Sequence, residues 1–199
     1  MSNMQYEIIN INDVTDNQLA AVFDMMSPQR QQRVLRLRRD EDRRRTLAAE
    51  MLARRLLCAR FGAEPKASAI ENAESGQPVL VGLPGYISLS HSGSWVMCAL
   101  SDQPVGADIE IISDRGQGLL EKICSDEEQA YVLCSGQHDP IRFFRIWTAK
   151  EACLKRAGKG LSGGMEATVV ANTSGMLKKA DGCNLLSGQH ENAVFAIAY

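Results

Sequence analysis

The sequence predicts a mixed α and β fold in two roughly alike halves, on three observations. The stretch Asp40 to Phe61 places Leu47, Ala48, Met51, Leu52 and Leu56 three or four residues apart and meets Gly62, the pattern of an amphipathic helix with a glycine stop. Two β-prone runs, Tyr86 to Ser90 and Trp95 to Leu100, flank the turn-like HSGS. A second set of strand and helix signals, Val105 to Ile112 and then Ile141 to Ala157, follows the break at Pro104. The halves meet near Ser101 to Pro104, so residues 1–103 and 104–199 are taken as the two units, although no repeat is visible in the sequence itself.

The remaining elements fill in this outline. Tyr6, Ile8, Ile9 and Ile11 make Gln5 to Ile11 a first strand. Leu19, Val22 and Phe23 follow a turn signal and predict a helix within Asp13 to Met26. Ser27-Pro28 reads as an N-cap and first-turn proline opening another short helix. Gln77 to Leu80 is a short turn-bounded strand, Leu119 to Cys134 is read as one helix, and Ala193 to Tyr199 as the last strand.

Composition narrows the class. The chain has 199 residues, 45% hydrophobic and 23% charged, which is ordinary for a protein with a core. A net charge of -2 argues against a general nucleic-acid binder. Arginine is nevertheless crowded between Arg30 and Arg60, which points to a specific anionic ligand. The six cysteines include no CxxC pair, and several sit among apolar residues. With a polar, acidic start and no apolar run long enough for a bilayer, the expectation is a cytoplasmic protein with reduced thiols and no membrane association.

Three motifs carry chemistry. In VGADIEI, residues two apart on a strand share a face, so Asp108 and Glu110 present two carboxylates together. Such a pair repels unless a cation or proton intervenes, and a hard ion such as Mg²⁺ prefers these oxygens. The alternative is the solvent-facing edge of an amphipathic strand. In IWTAKEACLKRAGKGL, Glu151 and Lys155 lie four apart on one helical face, with Lys150 adjacent and Lys159 a turn beyond. An ordinary surface ion pair would look the same, but Trp147 and the apolar residues around it favour a built site. In ISLSHSGSWVMCAL, Ser90, His91 and Ser92 are read as lying on a turn made permissive by Gly93, able to hand donors to a phosphate. The alternative is a polar hairpin tip.

Taken in order, SHSG, then (V/I)G-x-D-x-E, then W-(S/T)-x-K-E-x-x-x-K, the three motifs resemble the 4'-phosphopantetheinyl transferase superfamily, in its two-halved single-chain class. The likeness runs from the arginine-rich segment to Leu161. It implies an α+β fold of two pseudo-twofold-related halves with the active site in the cleft between them. It also implies transfer of the 4'-phosphopantetheine group from coenzyme A to a serine of an acyl, peptidyl or aryl carrier protein. Asp108, Glu110 and Glu151 resemble Mg²⁺ ligands, and Glu151 is also similar to the base for the incoming serine. Asp108 counts among the coenzyme A contacts too. Lys150 resembles a phosphate-binding lysine, and Lys155 the lysine that stabilises or protonates the leaving phosphate. Ser90 and His91 look like ligands of the 3'-phosphate, joined by Arg30, Arg33 and Arg45 of the basic segment. Gly76-Gln77-Pro78 resembles a GKP whose backbone borders the adenine, and Glu128 matches a mid-chain acidic position.

The chain departs from the family's pattern at two of these places. Gln77 replaces the usual lysine, removing a positive charge near the pyrophosphate, and Ala107 replaces a bulkier β-branched residue. The carrier's docking site is read either at Leu119, Leu120 and Ile123, beside Lys122, or elsewhere, with those three forming a core face. Two halves in one chain favour a monomer. The rival readings are a degenerate coenzyme A-binding module without transfer and a Mg²⁺-dependent phosphohydrolase.

Overall fold

The computed structural model describes residues 3–62, 64–134, 136–158 and 164–199, apart from the side chains of 115–117. Lys159 and Leu161, noted in the helix motif, lie outside the described residues. The chain divides into two compact units, Met1–Pro104 and Val105–Tyr199.

In the first unit β1 (Gln5–Asn10) precedes three helices: α1 (Asp16–Met25), α2 (Pro28–Arg36) and α3 (Asp40–Phe61). The hairpin β2 (Ile70–Asn72) and β3 (Pro78–Leu80) follows, then β4 (Tyr86–Ser92) and β5 (Trp95–Ser101). Strands β1, β5 and β4 form an antiparallel sheet in that order. The core is made where α3 sets Ala48, Leu52, Ala53 and Leu57 against Ile87, Val96, Cys98 and Leu100 of the sheet.

Local signals account for the helix ends. Thr15 and Gln18 form a reciprocal capping box at α1. Ser27 accepts the backbone N–H of Arg30, with Pro28 in the first turn of α2. Gly62 closes α3 at φ +73°, a left-handed conformation that L side chains rarely adopt. The bounds of α3 are those expected from its periodicity.

A buried ion cluster ties the helices together. Glu50 of α3 is fully enclosed and receives Arg30 Nε at 2.9 Å and Arg54 Nε at 2.9 Å. Arg54 also donates to the carbonyls of Met25 and Pro65, fixing the end of α1 and the chain beyond α3. A buried carboxylate without such partners would cost several kcal/mol.

The second unit begins with β6 (Gly106–Ile111), followed by α4 (Leu120–Ile123), α5 (Asp126–Val132) and the long α6 (Pro140–Arg156). Short pieces β7 (Ala171–Asn172), β8 (Gly175–Met176) and β9 (Lys179–Ala180) lead to β10 (Cys183–His190) and β11 (Ala193–Ala198). The sheet runs β6-β11-β10-β9, with antiparallel neighbours.

Helix α6 lies on β6 and β11. Directly opposite residues share a sheet face, so Gly106, Asp108 and Glu110 stand beside Ala198, Ala196 and Val194. Those three β11 residues belong to the core that α6 builds with Phe143, Ile146, Ala149 and Ala152. The DxE face of β6 is thus the face that α6 covers. Ile109 points to the opposite face and is also fully buried. Gly106 explains how close the helix comes: a Cβ there would lie 1.9 Å from the Ala152 carbonyl oxygen and 2.5 Å from the Arg156 nitrogen.

One expectation is corrected here, and one open alternative is decided for the core-face reading. The helix read over Leu119 to Cys134 is broken at Cys124-Ser125, because Ser125 accepts the Glu128 N–H while the Glu128 carboxylate takes the Ser125 N–H. The side chains of Leu120 and Ile123 enter the core and only Leu119 is substantially exposed, so these three residues make no apolar docking patch.

The contact at Gly106 generates a prediction. Gly106→Ala drives a methyl into helix backbone that has no room to yield, and overpacking of this kind costs about 3 kcal/mol. Chemical denaturation should show a loss of that order. An unchanged midpoint would mean that α6 does not rest on β6 as described.

Candidate active site

Asp108 and Glu110 project from one face of β6, and α6 brings Glu151 and Lys155, one helical turn apart, over the same face. The Lys155 ammonium donates to Asp108 Oδ1 at 2.6 Å and to the Ala107 carbonyl at 3.1 Å. Asp108 is buried, and Lys155 keeps about a quarter of its side chain exposed. Helix and strand are therefore joined by a charge-assisted hydrogen bond where the DxE motif and the lysine–glutamate motif meet.

Glu151 is 5% exposed, and its Oε1 is buried with no hydrogen-bond partner. Burial pushes its carboxyl up to about 7, repulsion from Asp108 and Glu110 adds to the rise, and the Lys155 cation opposes it. Asp108 and Glu110 share one face of β6, and α6, which carries Glu151, packs on that face. A hard divalent cation suits such a donor set, with its carboxylate oxygens, the buried Oε1 of Glu151 and its mutual repulsion. As they stand, no three Asp, Glu, His or Cys side chains among the described residues are grouped to enclose an ion. It is the Lys155 ammonium that meets Asp108.

Lys150 corrects the expectation placed on it. Its side chain is fully buried, paired with Glu128 at 2.7 Å and donating to the Met165 carbonyl at 2.9 Å. Glu128, equally buried, accepts the Val170 N–H at 2.8 Å. The pair holds α5, α6 and the segment near Met165 to Val170 together, which leaves Lys150 no reach toward a phosphate. Glu128, matched only as an acidic position, is its counter-charge.

In the first unit, Ser90, His91 and Ser92 are the last residues of β4, and the turn itself is Gly93-Ser94. Gly93 takes φ +55° to allow it. Ser90 is buried and His91 exposed. Arg45 of α3 donates to the Gly93 carbonyl at 3.0 Å and bonds Asp42 at 2.5 Å. The Arg45 hydrogen bond, aided by the charges of Arg45, Arg39 and His91, holds the Asp42 carboxyl below the usual range. Arg45 thereby reaches the turn that follows His91, with Arg39 near Asp42 as a member not anticipated. The spacing of Asp42 and Arg45, three apart at a helix start, was the available signal.

Arg33 and Arg30 behave differently. Arg33 is exposed on α2, and a side chain at Gly76 would meet its guanidinium at 3.9 Å, so Arg33 borders the Gly76-Gln77-Pro78 turn. Gln77 closes that turn by accepting the Ala73 N–H at 2.9 Å, and Pro78 opens β3. Arg30 is 6% exposed, and its guanidinium is taken up by Glu50 and by Asn72 Oδ1 at 2.6 Å. The expectation that it binds a phosphate is corrected: its donors are spent inside the unit.

A family model described as 4'-phosphopantetheinyl transferase superfamily matches residues 104–197. Another, described as 4'-phosphopantetheinyl transferase, N-terminal, matches residues 13–103. The chain is similar to 4'-phosphopantetheinyl transferase Sfp of Bacillus subtilis (strain 168), 30% identical over 142 residues, 70% of this chain and 63% of the relative. It is similar to a 4'-phosphopantetheinyl transferase of Bacillus subtilis, 32% identical over 151 residues, 74% of this chain and 65% of the relative. It is similar to 4'-phosphopantetheinyl transferase gsp of Aneurinibacillus migulanus, 32% identical over 137 residues, 68% of this chain and 57% of the relative. The chain thus spans less than two thirds of the length of each of these relatives. With both halves of the chain matched, it belongs to the 4'-phosphopantetheinyl transferase superfamily.

Proposed function

We propose that this chain transfers the 4'-phosphopantetheine group of coenzyme A to a serine hydroxyl of an apo-carrier protein, releasing 3',5'-ADP. The observation that carries the reading is the packing of α6 on β6, which sets Glu151 and Lys155 against Asp108. The reaction joins the serine oxygen to the β-phosphorus of coenzyme A and breaks that phosphorus–oxygen bond to the nucleotide. A Mg²⁺ ion held by Asp108, Glu110 and Glu151 would supply positive charge to the pyrophosphate oxygens.

The chain's own groups supply the rest. Lys155, partly exposed and held on Asp108, is placed to stabilise negative charge on the departing phosphate. Glu151, enclosed on α6 one turn from Lys155, is the carboxylate that takes the serine proton. In the first half, His91 and Ser90 with Arg45 and Arg33 form the 3'-phosphate and nucleotide contacts. The Gly76-Gln77-Pro78 turn borders the adenine. Acyl, peptidyl and aryl carriers are all within the class, and the chain acts as a single copy.

Incubation with coenzyme A, Mg²⁺ and an apo-carrier, followed by intact mass measurement, tests the reading. A phosphopantetheine-sized gain on the carrier is the expected result. Tight coenzyme A binding with no gain would make the chain a binding module, and 3',5'-ADP release without carrier would make it a hydrolase.

Glu151→Gln should leave coenzyme A binding largely intact and lower transfer by at least about 100-fold. Its stability has a defined pH signature in metal-free buffer. The folded state holds the Glu151 proton up to about 7, above the ordinary carboxyl value of 4.5, so this residue makes stability fall as pH rises through that window. Glu151→Gln should therefore melt higher than the parent at pH 8, with the difference gone by pH 4. Equal melting temperatures at pH 8 would contradict the burial described.

His91→Ala should raise the KM for coenzyme A about tenfold, the worth of one charge-assisted hydrogen bond, and leave that for 3'-dephospho-coenzyme A nearly unchanged. Equal effects on both substrates would remove His91 from the 3'-phosphate.

A further inference from the structure

We infer that Asn72 is a positioning residue that fixes the Gly76-Gln77-Pro78 turn for recognition of the adenine base, with Arg30 acting through it. The inference rests on the reading of this chain as a coenzyme A-dependent transferase.

The observation is a continuous chain of side chains from the core of the first unit to that turn. Glu50, fully buried, is bonded to Arg54 and Arg30. Arg30 Nη1 donates to Asn72 Oδ1 at 2.6 Å. Asn72 Nδ2 donates to the Gly76 carbonyl at 2.8 Å. The turn is closed from within by Ala73 N–H to the Gln77 carbonyl at 2.9 Å and Gly76 N–H to the Ala73 carbonyl at 2.8 Å. Gly76 sits at φ +85°.

The chemistry of the two side chains sets the direction of this relay. A guanidinium only donates, so Arg30 selects the oxygen end of the Asn72 amide. The nitrogen end is then obliged to face Gly76. Arg30 in turn cannot swing away, because Glu50 holds its other edge in the interior. The arginine thus contributes to nucleotide binding without touching the nucleotide, which accounts for a basic residue of the family's phosphate segment being buried here. A turn held in one conformation can present its backbone to a base edge at little entropic cost, and a rigid hydrogen-bonding edge rejects a base with donors and acceptors exchanged.

Asn72→Asp separates the two ends of the relay. The aspartate keeps an oxygen for Arg30, now as an ion pair, and places an oxygen against the Gly76 carbonyl where a donor stood. Asn72→Ala removes both contacts and serves as the second variant. The probes are 3',5'-ADP and its hypoxanthine counterpart, measured by calorimetry on the full chain, with thermal unfolding alongside.

The expected result is that the parent prefers the adenine nucleotide. Asn72→Asp should keep its melting temperature within a few degrees, bind 3',5'-ADP about tenfold more weakly and lose most of the preference, as the loss of one oriented hydrogen bond predicts. Asn72→Ala should lose the preference too. If either folded variant retains the parent's discrimination while the parent transfers phosphopantetheine, the inference about Asn72 is overturned and the function stands. If the parent binds neither nucleotide, both readings fall.

Discussion

The site in the second unit depends on how closely α6 approaches β6. Gly106 removes the one Cβ that would hold the last turns of the helix off the strand. Ala196 and Ala198, opposite Asp108 and Gly106, keep the neighbouring strand equally low. Only with the helix that near can Lys155 reach Asp108 and can Glu151 be enclosed beside it. The chemistry proposed for the site, a carboxylate whose proton affinity is raised by burial and by like charges, is a product of this packing.

The two units manage charge in contrasting ways. In the first, Glu50, Arg30 and Arg54 form a closed interior cluster, Arg45 at the histidine corner is paired with Asp42, and Arg33 is exposed beside the glycine turn. In the second, Lys150 and Glu128 neutralise one another inside, while Lys155 meets Asp108 and the enclosed Glu151 has its proton affinity raised. Interior pairs fix the backbone in both units. Surface contacts such as Arg44 with Asp16 or Arg55 with Glu7 contribute little by comparison.

What the sequence made legible follows from the range of each interaction. Helix α3 is read to its ends because periodicity and Gly62 are local signals. The pairing of Asp108 with Glu110 follows from strand alternation alone. The break before α5 also had a local signal, Ser125 with Glu128 three residues on, which the apolar pattern of Leu119 to Cys134 concealed. The fates of Lys150 and Arg30 had none, since each is decided by a partner about 20 residues away in the chain, Glu128 and Glu50. Pieces as short as β7, β8 and β9 carry no period to detect. Gly106 could have been found, because a glycine inside a strand pattern signals close backbone approach.

The Glu128–Lys150 pair also constrains how such a sequence can drift. Loss of either partner alone strands a charge in a space with no water to receive it, at a cost of about 3–5 kcal/mol, a large part of a domain's total stability. Replacement of both by apolar residues of similar volume escapes that penalty but gives up the anchors on Met165 and Val170. The two positions therefore form one unit of selection. A lineage that altered one would have to change the other almost at once, so each residue's history is to be read in its partner's.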